Sequence, residues 1–188
     1  YKGNWVLLFS HPADFTPICT TEFIAFAKKF DDFQGRGVEL IGLSIDSLSS
    51  HLAWVQNVHE KMGVEIPFPV IADLRAEVAE LYGMIHSEAS TTVTVRCVFV
   101  IDPNQTIRAM IYYPLNVGRN IDEIMRLIDA LQTADEHKVA IPANWMPGED
   151  VVIPPPQTMA EVKERVNSGK CGTDYYLIKQ KLVEPALK

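Results

Sequence analysis

The sequence predicts an α/β fold: a central mixed sheet flanked by helices, followed by an extended C-terminal arm. Three observations predict it. Apolar, β-rich runs alternate with helical-period patterns over residues 5–83, the βαβαβα order of a mainly parallel sheet covered on its faces. Two further β-rich runs, 92–101 and 106–113, flank Asp102-Pro103-Asn104-Gln105 and read as a hairpin, which adds antiparallel strands. From Ile141 onward Pro142, Pro147 and Pro154-Pro155-Pro156 break regular structure, so this stretch reads as an arm that wraps the core or a neighbouring subunit.

Residues 5–9 form an apolar run and a buried strand. Thr16 followed by Pro17 is a helix start, a hydroxyl N-cap with proline at the first helical position. Phe23, Phe26, Ala27, Phe30 and Phe33 repeat at helical spacing behind it and supply a core stripe. Gln34-Gly35-Arg36-Gly37 breaks the pattern, and residues 38–45 are a second strand buried on both faces. Ser49 or Ser50 can cap the next helix, whose apolar positions are Leu52, Val55, Val58 and Met62, with Gly63 as the stop. Residues 68–71 form a short strand. Asp73 caps a short helix that reaches Tyr82 and stops at Gly83.

After the hairpin, Asn120 with Glu123 resembles a capping box and opens a helix bearing Ile121, Ile124, Met125, Ile128 and Leu131 on one face. Residues 158–166 form a short helix and 174–178 a strand. Strand, helix and strand followed by a hairpin and a last helix is similar to the thioredoxin-like order. The boundaries that follow are 1–140 for the α/β domain and 141–188 for the arm, read as a dimer contact. The chain opens at Tyr1, without methionine and almost directly on a strand, so it reads as an incomplete copy of a longer product.

Composition narrows the class. A chain of 188 residues, 47% hydrophobic and 22% charged, is a globular chain able to bury a core without staples. A net charge of −7 argues against nucleic acid or an anionic membrane as partner. No apolar run approaches the roughly 20 residues that span a bilayer. Three unpaired cysteines, Cys19, Cys97 and Cys171, match neither a disulfide framework nor a zinc site and fit a reducing, cytoplasmic setting.

The chemistry centres on Pro12-Ala13-Asp14-Phe15-Thr16-Pro17-Ile18-Cys19. With Pro17 opening the helix, Cys19 is its third residue, where backbone N–H groups lack intrahelical partners and the dipole is positive. A thiolate is the nucleophilic form, and an ordinary thiol titrating at about 8.5 is mostly protonated at neutral pH. The helix start supplies about 0.3–1 kcal/mol toward the anion, so a nearby guanidinium is wanted as well.

The segment Ser10-His11-Pro12-Ala13-Asp14-Phe15-Thr16-Pro17-Ile18-Cys19-Thr20-Thr21-Glu22-Phe23 resembles the peroxidatic motif of peroxiredoxins. Its flanks resemble the one-Cys, or peroxiredoxin-six, subclass and its archaeal and bacterial relatives. These are Leu43-Ser44-Ile45-Asp46-Ser47, His51-Leu52-Ala53-Trp54, Tyr113-Pro114 and Gly118-Arg119-Asn120. The resemblance implies a thioredoxin-like fold whose N-terminal hairpin is missing from this copy. It also implies reduction of hydrogen peroxide and organic hydroperoxides by Cys19 through a sulfenic acid. It carries the guanidinium role onto Arg96, and donors aimed at the peroxide oxygens onto Arg96, the Thr16 hydroxyl and the Cys19 N–H. Pro12 would cover the pocket, His11 would lie near the peroxide, and Arg119 would stand behind Arg96 and help bind substrate. Neither a metal nor an organic cofactor is implied. The implied partners are a peroxide, a thiol reductant (a thioredoxin-like protein or a small thiol) and further copies of the chain, as dimers that can form rings.

If Arg96 faces Cys19, strand alternation turns Cys97 to the other layer, as a structural thiol. In archaeal relatives a tail cysteine resolves the partner's sulfenic acid. Ile178 stands at its place here, and Cys171 is the candidate substitute, with an external thiol as the alternative. One branch of the subclass carries a lipid-hydrolysing serine near its N-terminus. Asn4 occupies that place, so the activity is not carried over. Two rival readings remain. A thiol–disulfide oxidoreductase is disfavoured because Thr20-Thr21-Glu22 follows Cys19 where a Cys-x-x-Cys would need its partner, and a non-enzymatic oligomeric holdase is the other.

Overall fold

The structure, a computed structural model, describes residues 1–86, 93–169 and 172–182. Packing divides the chain into two compact units, Tyr1–Ile121 and Asp122–Lys188. The first unit holds β1 (Trp5–Ser10), α1 (Pro17–Lys28), α2 (Phe30–Gln34), β2 (Val38–Ser44), α3 (Leu48–Met62), β3 (Val70–Ala72), α4 (Glu77–Leu81), β4 (Arg96–Ile101) and β5 (Ile107–Tyr113). The strands form one sheet in the order β3-β2-β1-β4-β5, parallel from β3 to β1 and antiparallel from β1 to β5. This is the expected central mixed sheet flanked by helices.

The pleat sorts the site from the rest of the core. In the β1–β4 register Leu8 stands opposite Phe99, and Phe9 opposite Val98. Leu8, Phe99 and Cys97 therefore share one face, where they pack with Val6, Ile41, Leu43, Ala79 and Met84. Phe9, Val98 and Arg96 share the other. There Phe9 stacks on Phe26 of α1 at 4.2 Å between ring centroids and meets Phe23 edge-on at 5.6 Å. A Cβ on Gly42 would lie 3.2 Å from the Phe23 ring, so a glycine at this point of β2 lets the helix settle onto the sheet.

Several elements differ from the sequence expectation, each for a local reason. The phenylalanine stripe is divided at Lys29 into α1 and α2, and Phe30 is half-buried while Phe23, Phe26 and Phe33 are buried. Ser47, not Ser49 or Ser50, caps α3, its hydroxyl accepting the Ser50 N–H at 3.2 Å. The buried face of α3 is His51, Trp54 and Val58, whereas Leu52 and Met62 are exposed. Gly63 ends that helix in the left-handed region at φ +66°, as expected of a C-terminal glycine. β3 begins at Val70, after Pro67 and Pro69. Asp73 does support the short helix, but from a distance: its carboxylate accepts the N–H groups of Val78 and Ala79 while α4 starts at Glu77. β4 begins at Arg96.

The helix expected after Asn120 is α5 (Ile121–His137), nearly all of it in the second unit. It is followed by β6 (Val151–Val152), α6 (Met159–Asn167) and β7 (Lys179–Gln180). α6 is capped by Thr158, which accepts the Glu161 N–H. The strand expected over 174–178 is not formed there: Asp174 and Leu177 make a lone bridge, and β7, just beyond, pairs antiparallel with β6. This unit buries Trp145 and Val151 with Ala130 of α5, so the proline-broken tail has a small core of its own. Cys171 lies outside the described residues.

Candidate active site

Thr16 stands at the N-cap of α1 and Pro17 at its first position, so Cys19 is the third helical residue. Its N–H belongs to the donors that helix geometry leaves for another acceptor. The Thr16 hydroxyl does not cap the helix as expected. It donates to the Ala13 carbonyl at 2.8 Å within the preceding loop, and no side-chain cap bond forms. Phe15, between that loop and the helix, sits at φ +55°, an uncommon conformation for a side-chain-bearing residue.

The pleat brings Arg96 to the sulfur. Its Nη1 lies 3.3 Å from Cys19 Sγ and donates to Glu22 Oε2 at 2.8 Å, while its Nε donates to the Leu115 carbonyl at 3.0 Å. Glu22 is three residues along α1 from Cys19, hence on the same helix face. Its carboxylate also takes three bonds from Arg119: from the backbone N–H and Nε at 2.9 Å to Oε1, and from Nη2 at 2.8 Å to Oε2. Burial alone would push the Glu22 carboxyl up. The Arg119 hydrogen bonds and charge, with Arg96 behind them, outweigh it and hold the group below the usual carboxylate value. Arg119 is anchored further by the Ser10 and Cys97 carbonyls, with its guanidinium over the rings of Phe9 and Phe26.

This arrangement carries a charge argument. Two buried guanidinium groups share one carboxylate, which leaves one positive charge over, adjacent to a sulfur. That surplus positive charge lies 3.3 Å from Cys19 Sγ, where the sulfur has no exposed surface to water. Glu22, by sequence alone only part of the flanking motif, is therefore the residue that sets the balance. Its spacing of three from Cys19 was the available signal.

A cavity of about 360 Å³ adjoins this group, lined by Pro12, Thr16, Pro17, Ile18, Arg96, Leu115 and Asn116. Pro12, Thr16 and Arg96 thus lie together at it. Cys19 itself has no exposed surface, with Arg96 linking its sulfur to the cavity wall. Arg119 does not line the cavity. Its donors are turned to Glu22 and to the Cys97 and Ser10 carbonyls, which places it behind Arg96.

His11 is not among the cavity's lining residues either. It is fully buried, packed against Phe23 and Trp54, and its Nε2 meets Asp14 Oδ1 at 2.9 Å. Its burial pushes the imidazole below its ordinary value. Asp14 in turn holds His51 of α3 at 2.8 Å, a residue 37 positions away with no local signal to single it out. Ligand-type atoms of His11, Asp14 and His51 lie within 4.8 Å of one another, a spacing already filled by hydrogen bonds, so the trio reads as a proton-linked triad.

Cys97 is buried in the opposite layer with its sulfur 3.0 Å from Ser10 Oγ, and burial pushes its thiol up, away from the reactive form.

A helix-start thiol facing a buried guanidinium on a thioredoxin-like sheet defines a class, the thiol-dependent peroxidases. Comparison with known proteins agrees. Residues 1–110 match the AhpC/TSA family, and residues 130–169 match the C-terminal domain of 1-Cys peroxiredoxin. A peroxiredoxin of Aquifex aeolicus is 56% identical over 97% of this chain and 86% of its own length. Peroxiredoxin 2 of Caldanaerobacter subterraneus is 55% identical over 97% and 83%. Among solved structures, a yeast mitochondrial 1-Cys peroxiredoxin superposes with a TM-score of 0.83 at 42% identity, covering 96% of this chain and 87% of that one. Peroxiredoxin 6 of Arenicola marina, solved as a cysteine-to-serine mutant, gives 0.81 at 36%, covering 98% and 88%. The chain belongs to the peroxiredoxin family, and its activity is that of a thiol-dependent peroxidase.

Proposed function

We propose that Cys19 is the peroxidatic residue, and the observation that carries this is the 3.3 Å approach of Arg96 Nη1 to its sulfur beside a carboxylate already shared with Arg119. Peroxide enters the cavity at Arg96 and Thr16. Because the Thr16 proton is spent on Ala13, that hydroxyl offers a lone pair and accepts the peroxide O–H. Arg96 and the Cys19 N–H donate to the oxygens, where negative charge grows as the O–O bond breaks. The thiolate forms the S–O bond, the leaving oxygen departs as hydroxide or alkoxide and takes up a proton, and Cys19 becomes a sulfenic acid. One thiol then displaces water to give a mixed disulfide, and a second releases Cys19 as thiol.

The sulfur has no exposed surface, so a movement of the first turn of α1 that uncovers it before the reductant attacks belongs to this reading. A thioredoxin-like protein or a small thiol is the external donor, and Cys171 is the alternative within the chain. The solved yeast relative, whose thiol resolution runs via glutathione/thioredoxin systems, supports the external donor. Homodimers, with rings as a higher state, complete the proposal. Residues 141–188 and the edge strand β5, which exposes Ile107, Met110 and Tyr112, are the surfaces we assign to them. No helix among the described residues is long and apolar enough to cross a membrane, and the cytoplasm is the compartment proposed.

The test is peroxide consumption with a thiol reductant. Cys19→Ser abolishes it. Cys171→Ser leaves it intact if the reductant is external, and loss of a peroxide-induced dimer band in that variant marks Cys171 as the resolving thiol. A holdase would keep protecting client proteins without Cys19.

A further inference from the structure

We propose that His51 and Asp14 form a proton-held clamp on the loop from Pro12 to Thr16, and that loss of the His51 proton slackens the peroxide pocket. The proposal deepens the peroxidase reading and rests on it.

The geometry comes first. His51 Nδ1 lies 2.8 Å and 3.0 Å from the two Asp14 oxygens, and His51 Nε2 lies 3.3 Å from the Ile71 carbonyl of β3. A carboxylate and a carbonyl are acceptors, and a neutral imidazole has one N–H. Both bonds form together only when the ring carries both protons. His11 is the complement: its Nε2 faces Asp14 and its buried Nδ1 meets no hydrogen-bond partner among the described residues, which suits a neutral ring. One cation against the Asp14 carboxylate, beside a neutral imidazole, makes a paired charge in a place where Asp14 and His51 side chains are 1% and 4% exposed, with half-buried Asp46 facing the same cation. Removing the His51 proton leaves Asp14 an uncompensated buried anion, which is costly.

The clamp acts on the catalytic loop through Asp14. Its side chain is tied to α3, and its N–H donates to Asp46 Oδ2 at the end of β2. The next residue, Phe15, is held at φ +55° with its side chain largely exposed, so its own packing does not impose that conformation. A conformation of that kind persists when neighbours over-determine it. Thr16 and Pro17 follow at once, and both, with Pro12 before the turn, line the pocket. The groups facing His51 are Asp14, Asp46 and His11. Desolvation lowers the His51 value, but the Asp14 hydrogen bond and charge, with the Ile71 carbonyl and Asp46, outweigh it and raise it above its ordinary 6.5.

NMR of the intact wild-type chain with nitrogen-labelled histidine reads the proton directly. His51 is expected to show both ring nitrogens protonated at neutral pH, with a titration midpoint above 6.5 that falls in Asp14→Asn. A neutral tautomer at neutral pH overturns the clamp, and so does a midpoint that Asp14→Asn leaves in place. Peroxide-consumption rates of wild type and His51→Gln supply the functional arm. The glutamine keeps one donor to Asp14 and does not titrate. The wild-type advantage should shrink to near parity as pH rises through the NMR midpoint, and a ratio flat with pH overturns the proposal. Retained activity in Cys19→Ser would sink the assignment of Cys19 as the peroxidatic residue instead, without touching the NMR titration.

Discussion

The reactivity proposed for Cys19 rests on unequal charge among four side chains. Glu22 neutralises one of two guanidinium groups, and the sulfur is next in reach of the other. Replacing Glu22 by glutamine keeps the shape and leaves two buried cations. Breaking a buried pair in this way costs about 3–5 kcal/mol, read by denaturant unfolding. The same carboxylate gives a sign for acid. Its folded value is depressed below the ordinary 4.5, so its contribution is present above that value and lost as pH falls through the folded one. Cys97, one residue from Arg96 but on the opposite face, makes a contrast. Cys97→Ala should leave the peroxidase rate unchanged, and the native thiol should resist alkylation while Cys19 reacts; a fall in rate would show that the pleat has not separated the two sulfurs.

At the scale of elements, the helix starts are where local chemistry matters most. Ser47→Ala removes the α3 cap bond and is expected to lower stability by about 1 kcal/mol in thermal or denaturant unfolding. Gly42→Ala places a Cβ 3.2 Å from the Phe23 ring, and should destabilise by loosening the seat of α1 on the sheet, with a slower peroxidase rate as the second readout. These elements also show what the chain's text made legible. The Thr16-Pro17 start, the Gly63 stop and the hairpin over 102–106 were readable because turn and cap residues act on their immediate neighbours. The buried face of α3 was not. Leu52 and Met62 look like core, but His51 and Trp54 are drawn inward by Asp14, His11 and Phe23 from other elements. The use of the Thr16 hydroxyl was likewise hidden, because the choice between capping and the Ala13 carbonyl depends on how the loop is held. Arg96 was placed by family likeness, and strand alternation then fixed Cys97. Nothing local joins Asp14 to His51.

For the whole molecule, two histidines on one carboxylate set a stability window. His51 is raised, so its contribution is full below 6.5 and is lost as pH rises through its folded value. His11 is lowered, so the unfolded chain binds the proton more readily and stability falls as pH drops below 6.5. Together they predict greatest stability near neutrality with losses on either side, measured as unfolding midpoint against pH. A flat profile from mildly acid to mildly alkaline would contradict the assignment. The assembly has its own test at this scale: gel filtration should give a dimer or larger, and a monomer at working concentration would remove the role assigned to β5 and residues 141–188.

The most direct measurement is single-turnover oxidation of Cys19 by hydrogen peroxide, followed by rapid quench and intact mass, in wild type and in Arg96→Gln. The charge at the sulfur predicts a rate lower by about 10²–10³-fold in a variant whose circular dichroism is unchanged. Oxidation at the wild-type rate without that guanidinium would contradict it.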